Sequence, residues 1–436
     1  MSKNKLIPEL RFPEFVNEGE WEVKKLGKIG EPLMCKRILK EQTTSSPKNG
    51  IPFYKIGTFG KEPDAYIPIS LFEDFKNKYS FPKNGDILIS ASGTIGRLVI
   101  YDGLPAYFQD SNIVWLGNDE SVVLNKFLFH CYSIIKWQTS DGGIISRLYN
   151  SDLKNIQVSY SKNQNEQQKI ASCLSSLDEV IAAHSQKLEA LKDHKKGLMQ
   201  NLFLQMSELG LDRLKDDKIK GKEILKSQNP KNHNSDNVPK YRFPEFLKDG
   251  EWAEKKLGDK EVSTFVNQKI SIQKLNINSY ISTENMLAEF SGVTSASKLP
   301  QTGSFTKFIE GDILISNIRP YLKKVWKSNK KGGTSNDVIV FRSGSKVLSE
   351  FLEFILKNDA FINYVMKSAK GVKMPRGDKE SMQEYSVMIP IKLEQKKIAS
   401  CLSSLDDVIA AQTKKIEQLQ LHKKGLMQGL FPKNTT

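Results

Sequence analysis

The chain has 436 residues, 39% hydrophobic and 26% charged, and 65 Lys and Arg against 50 Asp and Glu give a net charge of +15. The length predicts two or three domains, and the cationic excess favours a polyanionic partner such as nucleic acid over a merely Lys-rich surface. The four cysteines form no CxxC pair, the N-terminus lacks a hydrophobic signal core, and no apolar run reaches the roughly 20 residues of a membrane span. A disulfide scaffold, a zinc protein and a membrane protein are therefore not indicated, and a cytoplasmic location is predicted.

The chain is an internal duplication. Residues 166–203 and 394–431 match at 28 of 38 positions without a gap. Each half has the same order: a lead segment with a Trp, a strand-rich body, a polar turn and a long helix. The other repeated stretches are LRFPEFVNEGEWEVKKLG (10–27) with YRFPEFLKDGEWAEKKLG (241–258), GDILIS at 85–90 and 311–316, and residues 142–153 with 371–382. The bodies have diverged more than the lead segments and helices, which indicates either two different recognition tasks or neutral drift.

Within the first body, ILIS, LVIY and NIVWL are short β-branched and aromatic runs that predict strands. Helical apolar spacing recurs in VLNKFLFHCYSII (123–135) and in its counterpart VLSEFLEFILKN (347–358). The Asn- and Lys-rich stretch after the first long helix predicts a weak helix that runs into an exposed linker. The fold is predicted to be α+β, with a first body (1–158), a proximal helix (159–205), a polar linker (206–240), a second body (241–390) and a distal helix (391–431).

Both long helices carry an apolar seam with alternating spacings of three and four residues, which is typical of helices that pack along their length. At 1.5 Å per residue each would span about 57 Å. The seam residues are Leu174, Leu177, Ile181, Leu188, Leu191 and Leu198 in the first helix and Leu402, Leu405, Ile409, Ile416, Leu419 and Leu426 in the second.

Two seam positions are polar in both copies. A parallel, in-register pair would place His184 on Gln412 and Lys195 on Lys423. Like charges at a core layer are costly, so the sequence favours an antiparallel pair with the two bodies at opposite ends. The alternative is that each helix packs on its own body.

Motifs for catalysis are missing from the sequence. It has no GxxxxGK[ST] phosphate loop, GxGxxG, HExxH or GxSxG, and no Cys/His cluster with metal-ligand spacing. We therefore expect a protein that binds and positions, without catalytic residues, metal or cofactor of its own.

Candidate DNA contacts occur at matching places in the two halves. After GDILIS the first half continues ASGTIGR and the second NIRPYLKK, and a later loop reads GGIISR (142–147) or GVKMPR (371–376). Asn and Arg can bind base edges bidentately, whereas Lys and Arg in the later loop are expected to hold phosphates. Any one of these side chains could instead lie in a solvated turn. The candidates are Ser92, Thr94, Arg97 and Arg147 in the first half, and Asn317, Arg319, Tyr321, Lys323, Lys324, Lys373 and Arg376 in the second.

Two divergent bodies, each followed by a long helix that begins EQxKIA, resemble the specificity subunit of a bacterial type I restriction-modification enzyme. The motifs RFPEF…GEW…KKLG and GDILIS.SGTIG are also typical of that family, although the second half has NIRPYL in place of SGTIG. The resemblance implies two target recognition domains that each read one half of a bipartite double-stranded DNA site. It also implies two antiparallel coiled-coil helices that set the gap between the half-sites.

The same resemblance implies the partners. Two modification (methyltransferase) subunits would dock on the helices, bind S-adenosylmethionine and methylate adenine N6. Restriction subunits would add ATP- and Mg-dependent translocation and cleavage, so the chain itself would be a non-catalytic specificity subunit. Two rival hypotheses are a coiled-coil scaffold whose bodies bind proteins, which the basic charge disfavours, and a nuclease or methyltransferase acting without partners.

Overall fold

The computed structural model of the chain describes residues 6–137, 147–204 and 237–433. It divides into two compact units, residues 1–186 with 414–436 and residues 187–413. Each unit therefore contains one body, the N-terminal half of the helix that follows it, and the C-terminal half of the other helix. The predicted weak helix and most of the predicted linker at 206–240 lie outside the described residues.

The first body is a mixed α/β structure with three sheets among its described residues. Their strand orders are β2-β8-β5-β6, β4-β3-β7 and β1-β9. The strands are β1 (Glu22–Lys25), β2 (Gly30–Leu33), β3 (Gly50–Tyr54), β4 (Tyr66–Pro68), β5 (Ile87–Ser90), β6 (Leu98–Ile100), β7 (Tyr107–Phe108), β8 (Ile113–Asn118) and β9 (Gln157–Tyr160). The helices are α1 (Ile69–Lys78), α2 (Asn125–Ile134) and α3 (Asn150–Asn155).

Strand β5 forms the centre of the largest sheet because its ILIS run is buried on both faces. It pairs antiparallel with β6 and with β8, where Ile89 lies opposite Val114. The three strands predicted from ILIS, LVIY and NIVWL are confirmed, as is the helix predicted at 123–135, which begins at Asn125.

The second body repeats this plan, with three sheets among its described residues. Their orders are β11-β18-β15-β16, β12-β14-β17-β13 and β10-β19. The strands are β10 (Ala253–Lys256), β11 (Ser263–Phe265), β12 (Lys269–Ile270), β13 (Tyr280–Ile281), β14 (Phe305–Phe308), β15 (Ile313–Ser316), β16 (Val325–Lys327), β17 (Gly332–Thr334), β18 (Val338–Ser343) and β19 (Ser386–Ile389). The second-body helices are α5 (Ser349–Leu356), α6 (Asp359–Ser368) and α7 (Lys379–Glu384), and the two long helices of the chain are α4 (Gln164–Leu202) and α8 (Lys392–Leu430).

Helices α4 and α8 have 39 residues each. Helix α4 begins later than the predicted residue 159 because β9 extends to Tyr160 and Asn163 then accepts a hydrogen bond from the Asn165 amide (3.0 Å) at the first turn. All twelve predicted seam residues are buried or half-buried, and most exposed positions are polar, charged or small, with Val180, Val408 and Leu421 among the exposed apolar residues.

The two helices run antiparallel, as the sequence predicts. In the first unit, Asp178 near the start of α4 binds Lys423 near the end of α8, with Nζ–Oδ1 at 2.5 Å. In the second unit, Lys195 near the end of α4 binds Asp406 near the start of α8, also at 2.5 Å. Lys195 and Lys423 therefore each pair with an aspartate of the other helix, and the two aspartates occupy the same position in the two copies.

The helix ends enter the cores of the bodies. In the first unit the ring of Phe431 stacks on Phe127 and meets Trp21 edge-on. In the second unit Phe203 stacks on Phe351, whose ring also contacts Trp252. Each body thus packs against the start of its own helix and the end of the other helix. The alternative prediction, that a helix packs on its own body, therefore holds for the N-terminal half of each helix.

Breaking a lysine–aspartate pair should cost stability through a specific coupling. In a double-mutant cycle of Lys195→Met and Asp406→Asn, we expect a coupling free energy of about 1 kcal/mol, because both side chains are partly buried and paired. Urea unfolding of the four variants measures it. A cycle of Lys195→Met with Asp178→Asn is the control, because both residues lie on α4 and neither is paired with the other. A coupling in the first cycle no larger than in this control would contradict the antiparallel register.

The two units differ in what lies behind the seam lysine. In the first, His130 of α2 is buried with Nε2 3.2 Å from Ser175 Oγ, and burial together with the Lys423 charge lowers the pKa of His130 to about 4. In the second, the aligned residue is Phe354, whose ring centroid lies 5.5 Å from Lys195 Nζ. The first unit therefore buries a neutral imidazole where the second buries an apolar ring.

His130 should make stability depend on pH. An unfolded histidine has a pKa of about 6.5, so the unfolded chain binds a proton that the folded chain does not between roughly pH 6.5 and 4. The free energy of unfolding should therefore fall by roughly 2–4 kcal/mol as pH drops through that window. His130→Phe should abolish this loss in urea unfolding at about pH 7.5 and about pH 4.5. His194→Gln, which changes an exposed histidine, should retain it. An unchanged pH dependence in His130→Phe would rule out His130 as its source.

Candidate nucleic-acid interface

The loop that follows β5 in the first body is a tight turn held by its own hydrogen bonds. Ser90 Oγ donates to the Thr94 carbonyl (2.6 Å) and accepts from the Arg97 amide (2.8 Å). Gly93 and Gly96 have positive φ of 65° and 81°, and a β-carbon on Gly96 would overlap the ring of Trp137. The turn therefore favours glycine at the first and last positions of GTIG, and Thr94 is left exposed at its tip.

The structure brings the second predicted loop of the first body to this turn. Ser92 and Arg147 form an isolated antiparallel bridge. Ser92 Oγ donates to Asn112 Oδ1 (2.8 Å), and the Arg147 guanidinium donates to the Ser111 carbonyl (2.8 Å). Ser92, Thr94 and Arg147 therefore belong to one loop cluster. Residues 142–146 of the later loop lie outside the described residues.

Arg97 lies in the same turn, but its side chain is already engaged. Its guanidinium donates to the Phe59 carbonyl (2.9 Å) and is half-buried. This contact ties the turn to the segment before α1, so Arg97 can position the loop as well as offer its remaining donors to a ligand.

An equivalent loop cluster follows β15 in the second body. Ile318 bridges Arg376 just as Ser92 bridges Arg147. The Arg319 amide donates to the Pro375 carbonyl (2.8 Å), and Arg376 pairs with Asp337 at 3.1 Å. The two bodies thus place the same pair of loops together at the end of the same central strand, although the side chains of the loops differ.

The predicted contacts of the second body separate into exposed and engaged groups. Asn317 is only 9% exposed. Lys324 Nζ donates to the Thr283 carbonyl (2.6 Å), and Lys323 pairs with Asp359 at 2.9 Å, a contact that raises the pKa of Lys323. The side chains left exposed are those of Arg319, Tyr321, Lys373 and Arg376. All eleven predicted contacts thus lie in the two loop clusters, and their binding to DNA stays a prediction.

Buried ion pairs explain the two most strongly repeated motifs, and the sequence analysis did not find this role. The Arg11 guanidinium of the first RFPEF binds both carboxylate oxygens of Glu166 in the first EQ motif, at 2.7 and 2.8 Å. Arg242 and Glu394 repeat the contact at 2.8 and 2.8 Å. The four side chains are at most 7% exposed. We call these pairs the Arg–Glu latches, and each fixes a lead segment to the first turn of a long helix.

The glutamines of the EQ motifs extend this attachment to the bodies. Gln167 accepts from the Leu124 amide (2.9 Å) and donates to the Val122 and Ser161 carbonyls (3.0 and 2.7 Å). Gln395 makes the equivalent three bonds with Leu348, Lys346 and Pro390. The sequence signal for this attachment is that both RFPEF and the EQ motif are unchanged between the two copies, 231 and 228 residues apart.

Two further observations bear on the class of protein. None of the described helices combines the length and the apolar composition needed to cross a bilayer. Across residues 6–137, 147–204 and 237–433, no group of three or more His, Cys, Asp and Glu side chains is placed to hold a metal ion.

Comparison with known proteins agrees with this architecture. The model of the type I restriction modification DNA specificity domain matches residues 18–193 and again residues 249–421, one match for each half. The chain therefore belongs to the family of type I restriction-modification DNA specificity proteins, and the prediction of a specificity subunit of this system, rather than an enzyme in its own right, is confirmed.

Individual relatives carry the same family name. A Haemophilus influenzae protein provisionally named a type I restriction enzyme specificity subunit is 62% identical over 149 residues, which are 34% of this chain and 38% of that protein. The type I restriction enzyme MjaVIII specificity subunit of Methanocaldococcus jannaschii is 23% identical over 382 residues, 83% of this chain and 82% of that protein. The crystal structure of a type I restriction-modification system S subunit from M. genitalium shares the fold, with a TM-score of 0.59 and 18% identity over 99% of this chain and 100% of that one.

Removing one member of an Arg–Glu latch should destabilise the chain strongly. Glu166→Gln leaves the Arg11 guanidinium buried without its counter-charge, and we expect a loss of about 3 kcal/mol in the free energy of unfolding. Replacing both residues with Met should restore part of that loss, because no buried charge remains unpaired.

The nearby exposed pair Lys169–Glu14 (3.1 Å) provides a matched control for urea unfolding. Lys169→Met should cost far less than Glu166→Gln because water screens an exposed pair. Equal losses in the free energy of unfolding would show that burial does not make the Arg11–Glu166 pair more important for stability than an exposed pair.

Proposed function

We propose that this chain reads a bipartite double-stranded DNA site, with one loop cluster on each half-site. The observation that carries the proposal is the repetition of the two bridged loops, Ser92 with Arg147 and Ile318 with Arg376, at the end of the same strand of two equivalent sheets. Two equivalent loop clusters with different side chains suit a ligand that offers two similar backbones and two different base sequences.

The charges of the loops support DNA as that ligand. The second body exposes Arg319, Lys373 and Arg376 around its cluster, and the whole chain has a net charge of +15. Cationic side chains bind phosphates and set the register on the duplex without reading sequence. The hydroxyl groups of Ser92 and Thr94 and the guanidinium of Arg319 can then contact base edges in the groove.

The internal repeat supports a two-part site. DNA strands are antiparallel, so two equivalent bodies related by a pseudo-two-fold repeat meet equivalent backbone at two half-sites. Helices α4 and α8 support this proposal, because each unit contains the start of one helix packed antiparallel to the end of the other. We propose that these helices set the length of the unread gap between the half-sites.

The exposed surface of the helices supports docking of two copies of one partner. Residues at exposed positions of a helix are free to change after duplication unless something contacts them. Several exposed small or apolar residues on one face are nevertheless identical in the two copies, among them Ser176, Val180 and Ala183 in α4 and Ser404, Val408 and Ala411 in α8. The duplicated face fits two identical modification subunits, one on each helix.

In the assembled complex the chemistry would belong to the partners. The modification subunits would bind S-adenosylmethionine and methylate adenine N6, and restriction subunits would supply ATP- and Mg-dependent cleavage. The target adenine must leave the base stack to be methylated. The role of this chain is to hold the duplex where each half-site presents its adenine to a partner subunit. The cytoplasmic location of the complex stays a prediction.

A body exchange tests this assignment. Replacing residues 20–150 with the corresponding body of another family member should change one half of the methylated sequence and leave the other half and the gap unaltered, because each loop cluster acts on its own half-site. Methylation mapping of DNA from cells that express the variant with its modification subunits reads out both halves. A change in both halves would contradict independent reading.

A binding assay distinguishes this function from that of a protein scaffold. The full chain should bind duplex DNA with an affinity that falls steeply with salt, since bound phosphates release counterions. Arg319→Ala should reduce the affinity, and Lys433→Ala, which changes an exposed lysine paired with Glu9, is the control. An affinity for DNA that does not depend on salt would favour the scaffold.

A further inference from the structure

The second loop cluster contains a short hairpin. Lys370 and Arg376 exchange two backbone hydrogen bonds of 2.9 Å, and Gly371 starts the turn with a φ of 95°. Residues 372–374, Val-Lys-Met, form its end, which we call the hairpin tip. In the aligned sequence of the first half, GGIISR, two isoleucines likewise precede the arginine.

The base of this hairpin is held firmly. The Pro375 carbonyl accepts from the Arg319 amide (2.8 Å), and the Gly377 amide donates to the Asn317 carbonyl (3.1 Å). Pro375 itself is buried. The backbone of the tip is thus attached on one side to the loop that follows β15, so little ordering entropy remains to be lost when the tip meets a ligand.

The tip presents apolar side chains to solvent. Val372 is fully exposed and Met374 is 51% exposed. Single exposed apolar residues are normal on protein surfaces, but here two lie on one turn whose base is hydrogen-bonded to the adjoining loop. Two cationic residues accompany them: Lys373 lies between them in the sequence, and Arg319 is exposed on the adjoining loop.

An apolar tip with cationic residues beside it suits a particular mode of DNA binding. Proteins that kink a duplex insert Met, Leu, Ile or Phe between neighbouring base pairs while Arg and Lys hold the adjacent phosphates. The cost of separating the bases depends on the sequence being separated, so insertion contributes specificity without a hydrogen bond to a base. A docking site for an apolar protein surface would not need Lys373 and Arg319 beside the tip.

We propose that the hairpin tip inserts Val372 and Met374 into the base stack of the second half-site, while Lys373 and Arg319 bind the flanking phosphates. The proposal rests on the proposed function and adds a mechanism to it. The tip unstacks one base step, and the sequence preference at that step comes from how easily the step is deformed.

Fluorescence of 2-aminopurine tests the insertion. The probe is a 40-base-pair duplex that the full chain selects from a randomised pool, with 2-aminopurine placed at each position in turn. Binding of the wild-type chain should raise the fluorescence several-fold at one step of one half-site. The double variant Val372→Asn with Met374→Asn should lose this rise and bind roughly tenfold more weakly, since two apolar contacts are lost.

Two further variants control the experiment. Val372→Leu with Met374→Leu keeps the apolar tip and should keep the rise. Leu104→Asn changes an exposed apolar residue in the first body and should alter neither fluorescence nor affinity.

The outcomes separate the insertion from the proposed function. Salt-dependent binding without a rise at any position, or a rise that persists in the double Asn variant, overturns the insertion and leaves DNA recognition intact. Loss of assembly with modification subunits in the double Asn variant, with the rise retained, assigns the tip to a protein contact and also overturns it. Absence of salt-dependent DNA binding in the wild-type chain overturns the proposed function itself.

Discussion

The structure depends on how two lysines are neutralised within an apolar helix seam. An ammonium group at a half-buried position needs a counter-charge, because desolvation without one costs more than the seam gains. In a parallel, in-register pair Lys195 and Lys423 would meet each other. In the antiparallel pair each meets an aspartate, Asp406 or Asp178, at 2.5 Å. The duplication supplies both partners at once, since the two aspartates are the same position in the two copies.

Antiparallel packing in turn decides which segments form each core. The end of α8 lies in the first body, where the Leu10 amide donates to the Gly429 carbonyl (2.8 Å), and the end of α4 lies in the second, where the Tyr241 amide donates to the Asn201 carbonyl (3.0 Å). The Arg–Glu latches fix the lead segments to the starts of the helices. Each body is therefore attached to both helices, which resists sliding of one helix along the other.

Divergence between the copies is concentrated where the structure tolerates it. The sheets β2-β8-β5-β6 and β11-β18-β15-β16 keep one order, and the bridged loops keep one position. The side chains on those loops differ, from the hydroxyls of ASGTIGR to the Arg, Tyr and Lys of NIRPYLKK. The backbone bridge between the two loops recurs in both bodies, so exposed side chains such as those of Thr94 and Arg319 can differ without loss of the fold. The exposed side chains of such loops can therefore change while the helices and the Arg–Glu latches stay the same.

The sequence by itself determined the duplication, the family, the central strands, the helical seam and its antiparallel direction. These features rest on local propensity, on periodicity and on the repulsion between two lysines at one register position, all of which can be read along the chain. Only the tertiary structure decided that aspartates neutralise those lysines, that Arg11 and Arg242 are buried against Glu166 and Glu394, and that each helix end lies in the other copy's body. It also decided that Asn317 is buried while Val372 is exposed. Residues far apart in the chain set the surroundings of a loop side chain, and no local pattern records those contacts.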